Sequence, residues 1–260
     1  MKTTSRFTIY DSRFTRASFL DATPRPAPRA PRQTATAFTL IELLVVIAII
    51  VVIASLSMPV FNIVEQKSLI NNATAERDQL ESAIERYHAK FGYYPPSNGA
   101  GTQLAALTNQ LYYELSGTIT TNNGGSFTTL DNLSVIPTST IQQYFGNVSG
   151  IMNCTKGSGD DAIVAQGFLP TLKPAQVGTQ TNNTGSVVCV IVTAVHSDSV
   201  YNPMPGFGSR AGYPANPWRY LCPGTNNPSS YDLWVQVYVG GKTNLICNWS
   251  DQPKVNSPMP

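Results

Sequence analysis

Residues 35–60 read ATAFTLIELLVVIAIIVVIASLSMPV, and this stretch decides the fold. From Leu43 to Ala54 every residue is apolar, and the run continues with few interruptions to Val64. About 20 helical residues, at roughly 1.5 Å each, cross a bilayer core of about 30 Å. Residues 38–64 meet that length, so the sequence predicts a membrane-spanning helix. One residue breaks the pattern: Glu42, a carboxylate near the start of the run. In hydrocarbon such a group costs roughly 2.5–3.5 kcal/mol. Either Glu42 sits at the interface, ahead of a span that begins at Leu43, or it needs a cationic partner from another molecule. A free α-amino group at Phe38, exposed by cleavage after Ala37, would be such a partner, and pairing it with Glu42 of a neighbour would set an axial register.

The flanks fix the orientation. Residues 1–37 form a Pro-rich leader carrying Lys2, Arg6, Arg13, Arg16, Arg25, Arg29 and Arg32 against Asp11 and Asp21. Lysine and arginine gather on the cytoplasmic side of a span, so the leader is expected inside and the bulk of the chain outside. The remainder carries more acidic than basic groups, with a formal net charge of only +2 for all 260 residues. No basic patch suggests nucleic acid. Charged residues make up 12% and aromatics 10%, which suits an extracytoplasmic domain with a real core rather than a disordered chain.

Beyond the run, Leu69, Ala73, Leu80, Ile84, Tyr87 and Phe91 recur at mostly three-, four- and seven-residue intervals. Glu76, Arg77, Asp78, Glu81, Glu85 and Arg86 are expected on the other faces. This predicts one continuous helix over about 39–90, bent at Pro59, with Gly92 as its stop and YYPP at 93–96 unable to continue it. A short helix is expected over 101–115. Loops or hairpins are expected at 118–129 and 178–186, and strands at 187–195, 218–222, 231–239 and 244–249. The last two join through Gly240-Gly241. The fold class is α+β: a long N-terminal helix packed on a C-terminal antiparallel sheet. Its sections are the leader (1–37), the membrane half of the helix (38–64), the amphipathic half and turn (65–96), and a β-rich head (97–260).

Cys154, Cys189, Cys222 and Cys247 all fall on the far side of the run. In an oxidising compartment they read as up to two disulfides with three pairings, of which Cys222–Cys247 with Cys154–Cys189 is favoured. Their spacing matches no zinc signature. Catalysis finds little support. His88 and His196 are the only histidines, and Ser197, Asp198 and Ser199 beside His196 cannot face one another as a triad does. Asp160-Asp161 reads as a solvated pair, and GFGSR at 206–210 has no helix after it to bind phosphate. The expectation is a non-enzyme without cofactor.

The segment A-FTLIELLVVIAII resembles the processing site and N-terminal helix of the type IV pilin and pseudopilin superfamily. The resemblance implies cleavage between Ala37 and Phe38 by a prepilin peptidase, N-methylation of Phe38, and assembly roles for Glu42 and Pro59. It departs at Ala37, where the family usually has Gly. Residues 90–107 and 216–235, with Pro217, Trp218, Tyr220, Pro223, Gly224, Tyr231, Asp232, Leu233 and Trp249, resemble the major (G-type) pseudopilin of type II secretion. About 110 residues between these segments exceed that family's usual length. The resemblance implies a single-pass protein of the bacterial inner membrane. Its N-terminus would be cytoplasmic and its head periplasmic, polymerising with itself, with minor pseudopilins and an assembly platform. It also implies calcium in the loop after the Tyr-Asp-Leu strand. Here that loop is Gly240, Gly241, Lys242, Thr243 and Asn244, so no calcium is expected. The alternatives are a type IV pilus or minor pilin subunit, or a signal-anchored extracytoplasmic binding protein cleaved near ASLS at 54–57.

Overall fold

The structure, a computed structural model, describes residues 38–98, 109–121, 124–146, 150–156, 163–181, 185–195, 206–209, 211–258 and 260, and only the backbone at 56–60. The leader, Ala37, the Asp160-Asp161 pair and His196 with its neighbours therefore lie outside the described residues. The chain forms two compact units, residues 1–52 and 53–260. In the first, the described part is Phe38, Thr39 and the opening turns of a helix whose side chains are all exposed.

That helix, α1, runs from Leu40 to Phe91. It ends where expected: Gly92 takes the left-handed conformation (φ +79°) that a side chain would resist, and its N–H reaches His88 O at 2.8 Å. Within the second unit, Ala73, Leu80, Ala83, Ile84 and Tyr87 are buried along one stripe of α1. Their spacing is that of a helix face packed on a core. Glu76 lies on this stripe and is 8% exposed, which corrects its expected place on an outward face.

The core that receives the stripe contains Leu233, Val235, Val237 and Val239 of β9 (Asp232–Val239) and Ile246 of β10 (Lys242–Cys247). A second pair of strands, β8 (Arg219–Leu221) and β11 (Ser250–Val255), completes an antiparallel sheet in the order β11-β10-β9-β8. Gly240 and Gly241, at φ +63° and +76°, make the β9–β10 turn and set Lys242 opposite Val239. Arg77 of α1 donates to Cys247 O at 3.0 Å and Ser250 O at 3.1 Å, tying the helix to the β10–β11 corner.

The long middle of the chain builds two smaller sheets. One has the order β3-β2-β1-β4, from β1 (Thr118–Thr121), β2 (Ser126–Thr129), β3 (Val135–Pro137) and β4 (Cys154–Thr155). The other has the order β6-β5-β7, from β5 (Val177–Thr181), β6 (Val187–Ile191) and β7 (Gly208–Ser209). The stretch at 118–129 thus contributes the antiparallel pair β1 and β2, and that at 178–186 contributes most of β5, which pairs antiparallel with β6. The helix expected over 101–115 is described only as α2 (Leu111–Ser116), and a further helix, α3 (Thr138–Phe145), was not foreseen. The strand expected over 187–195 stops at Ile191.

Two buried carboxylates join this middle segment to α1. Glu114 of α2 has no exposed surface. It accepts from Met152 N at 2.8 Å, Asn153 N at 2.9 Å and the Tyr87 hydroxyl of α1 at 3.0 Å. Glu76 accepts from Ala194 N at 3.1 and 3.3 Å, and the Thr193, Trp218 and Gln176 side chains also favour its charged form. Burial pushes both carboxyls above the usual carboxylate range, against the pull of these donors toward the charged form.

The structure holds all four cysteines as thiols, which departs from the expected disulfides. For Cys222–Cys247 the topology gives the reason. Cys247 pairs with Trp234 on β9, while Cys222 follows Leu221, which lies opposite Asp232 on the other side of β9. Strands two apart in a sheet are separated by roughly 9–10 Å, beyond the ~7 Å that a disulfide bridges. Cys154 and Cys189 sit in different sheets, on β4 and β6.

The raised Glu76 carboxyl gives a signed prediction. The folded chain binds this proton more tightly than the unfolded chain, where the group titrates near 4.5. Its contribution to stability therefore falls as pH rises from 4.5 through the raised folded value. In thermal melts in detergent from pH 4.5 to 7.5, wild type should lose stability relative to Glu76→Gln as pH rises. A constant gap would mean that Glu76 does not titrate in that window.

Candidate functional site

The N-terminus of α1 is built around Thr39. Its carbonyl accepts the first intrahelical bond, from Leu43 N at 3.3 Å, which makes it the residue that caps the helix. Its hydroxyl accepts from Glu42 N at 3.3 Å and donates to Glu42 Oε2 at 2.9 Å. Glu42 in turn reaches back, and Oε2 accepts from Thr39 N at 2.9 Å. Two backbone N–H groups that a helix start leaves unpaired are satisfied reciprocally, and the carboxylate lies at the positive end of the helix dipole.

Glu42 is thus partnered within its own chain. The sequence reading treated it as unpaired and missed the signal, a Thr followed three residues later by Glu at the head of an apolar run. Both bonds go to Oε2; among the described residues none is made to Oε1.

Phe38, which precedes the cap, is 76% exposed. From Leu40 to Ile53 the large apolar side chains are exposed on every face, from 46% at Val46 to 80% at Leu40. Each Val, Leu or Ile removed from water is worth about 1.5–3 kcal/mol. A water-exposed helix of this kind needs a cover: lipid, or other apolar helices. Among the described residues no helix is long and apolar enough to cross a membrane; the side chains at 56–60 are not among them. Pro59 is helical in its backbone.

The remaining candidates are structural. His88 stacks on Tyr94 with ring centroids 4.2 Å apart. Pro217, Trp218, Tyr220, Tyr231 and Leu233 do come together, in the β8–β9 region of the head. Pro217 bridges to Val192, and Trp218, Tyr220, Tyr231 and Leu233 are core residues. Asp232 orders the loop before β9, accepting from Asn226 N at 2.8 Å and Asn227 N at 3.0 Å. After β9 comes the two-residue glycine turn and Lys242. Among the described residues no three His, Cys, Asp or Glu side chains converge as a metal site would require.

Residues 32–58 match the model of the prokaryotic N-terminal methylation motif. The chain is also similar to the type IV major pilin protein PilE1 of Neisseria gonorrhoeae, at 30% identity over 82 residues. That match covers 32% of this chain and spans 38% of the length of the pilin. No solved structure matches the chain.

The capping pair predicts a local effect. Thr39→Ala should cost about 1 kcal/mol at the helix start, and so speed amide exchange at residues 40–43 in detergent about fivefold. Thr39→Ser, which keeps the hydroxyl, should leave exchange near wild type.

Proposed function

We propose that this chain is a structural, non-enzymatic subunit of a pilin-like filament, and that the filament is the pseudopilus of a type II secretion system. The observation that carries the reading is the coincidence, within residues 32–58, of the methylation motif with a capped helix start and an apolar surface exposed on all sides. The subunit waits in the inner membrane as a single-pass protein, with its leader cytoplasmic and its head periplasmic. A prepilin peptidase cuts between Ala37 and Phe38, and Phe38 is N-methylated. An assembly platform then extracts the subunit, and its apolar half-helix exchanges lipid for the same surface of other copies and of minor pseudopilins.

Glu42 supports this sequence in both states. In the bilayer its capping bonds offset part of the cost of a buried charge. In the filament, Oε1 remains to accept from the Phe38 ammonium of a neighbour, which neutralises both charges and fixes the axial register. Pro59 would let the helix bend as subunits pack.

Pseudopilin specificity rests on the residues around Trp218 and Tyr231. A surface type IV pilus is the second reading, favoured by the similarity to the gonococcal pilin. Deleting the gene separates them: loss of protein export with surface filaments intact supports the first, and the reverse supports the second.

Mass spectrometry of the membrane-extracted protein should find chains that begin at N-methylated Phe38. A start at Met1 or near Met58 would overturn the reading. Glu42→Ala should insert into the membrane at wild-type level yet give no filaments by electron microscopy. Normal filaments from that variant would refute the register role.

A further inference from the structure

The β9–β10 turn meets α1 at a particular height. A Cβ on Gly240 would lie 2.5 Å from the end of the Gln66 side chain, so the turn lies against the helix there, while its φ of +63° is what favours glycine. Gln66 stands two residues after Val64, where the apolar run ends. That is about 3 Å along the helix axis. The headgroup layer on each side of a bilayer is roughly 5–7 Å deep. A subunit anchored through residues 38–64 therefore carries the tip of its C-terminal sheet within the headgroup layer.

Among the described residues, the charges nearest this turn on α1 and β10 are Lys67, Lys242 and Glu65, all exposed. Lys242 pairs with Val239, whose side chain belongs to the core, so alternation places Lys242 on the sheet face that looks toward α1. Lys67 follows Gln66 directly. The acidic residues of the helix, Glu76, Asp78, Glu81 and Glu85, come nine or more residues after Lys67, about 13 Å or more along the axis.

We infer that Lys67 and Lys242 form a two-point contact with anionic phospholipid headgroups of the outer leaflet, seating the head on the membrane before assembly. The inference rests on the membrane-anchored reading above. Lipid phosphates accept from both ammonium groups, and the glycine turn brings the sheet edge down to meet them without a side chain in the way. Extraction into a filament breaks the contact, so it stabilises the waiting subunit relative to the assembled one.

The test uses the full processed chain in nanodiscs, with hydrogen exchange read at residues 240–244. Adding phosphatidylglycerol to phosphatidylcholine should slow exchange about fivefold, the factor that one lysine is worth at an anionic surface. Lys67→Gln/Lys242→Gln should abolish the slowing. Lys254→Gln, which removes an exposed lysine opposite Leu245 on the other face, should keep it. Exchange that ignores lipid charge in wild type would overturn the contact, as would equal slowing by free inorganic phosphate over phosphatidylcholine. A chain that fails to enter nanodiscs at all would instead refute the anchored reading.

Discussion

A helix that is apolar on every side along its first half and on one stripe along its second cannot satisfy both halves in one environment. The stripe of α1 is covered from within: Ala73, Leu80, Ala83, Ile84 and Tyr87 join the same core as β9 and β10. The first half finds no cover in the described chain, and its side chains remain exposed. Hydrophobic burial is roughly proportional to apolar area removed from water, so this half is a reservoir of unspent driving force. The head is organised around covering the second-half stripe.

Closing the head takes more than apolar area. Glu76 and Glu114 are each buried against donors drawn from separated parts of the chain. Glu76 collects Gln176, Thr193, Ala194 and Trp218, while Glu114 collects Tyr87, Met152 and Asn153. The desolvation of a buried carboxylate can cancel what its partners return, so their net contribution to stability is small. What they do is penalise any arrangement in which those segments fail to meet, because each misplaced segment leaves a buried carboxyl without its partners. The long middle segment is thereby attached to α1 at two points, along the same stripe that carries the apolar contacts.

Local rules and long-range pairing were unequally legible in the sequence. The extent of α1, its stop at Gly92 and the glycine turn between β9 and β10 were readable, since each depends on a few adjacent residues. Glu76 was misplaced because charge alone argues for a solvent face, and its donors lie a hundred residues or more away. The Cys222–Cys247 pairing was misjudged because cysteine count carries no strand order; only the β8-β9-β10 sequence of neighbours shows that these two flank a strand they cannot reach across. β11 was invisible for a different reason. SDQPKV lacks alternation and contains a proline and two charges, which protect a sheet edge from further pairing. At the N-terminus the opposite failure occurred. The Thr-x-x-Glu pattern was fully local, yet the apolar run around it drew attention to the membrane and away from the cap.

That cap changes how Glu42 is to be understood. A carboxylate without partners would oppose insertion and favour assembly only by escaping hydrocarbon. A capped carboxylate is already partly paid for: it answers two donors and sits on the helix dipole before any neighbour arrives. In the proposed filament, pairing with a neighbour's amine would add to an existing arrangement instead of rescuing an intolerable one, and the helix start would keep its geometry in both states. The register between subunits can be set by a side chain already held in place, with little conformational entropy left to lose on contact. Preorganisation of this kind would favour the proposed assembly without requiring the unassembled subunit to be unstable.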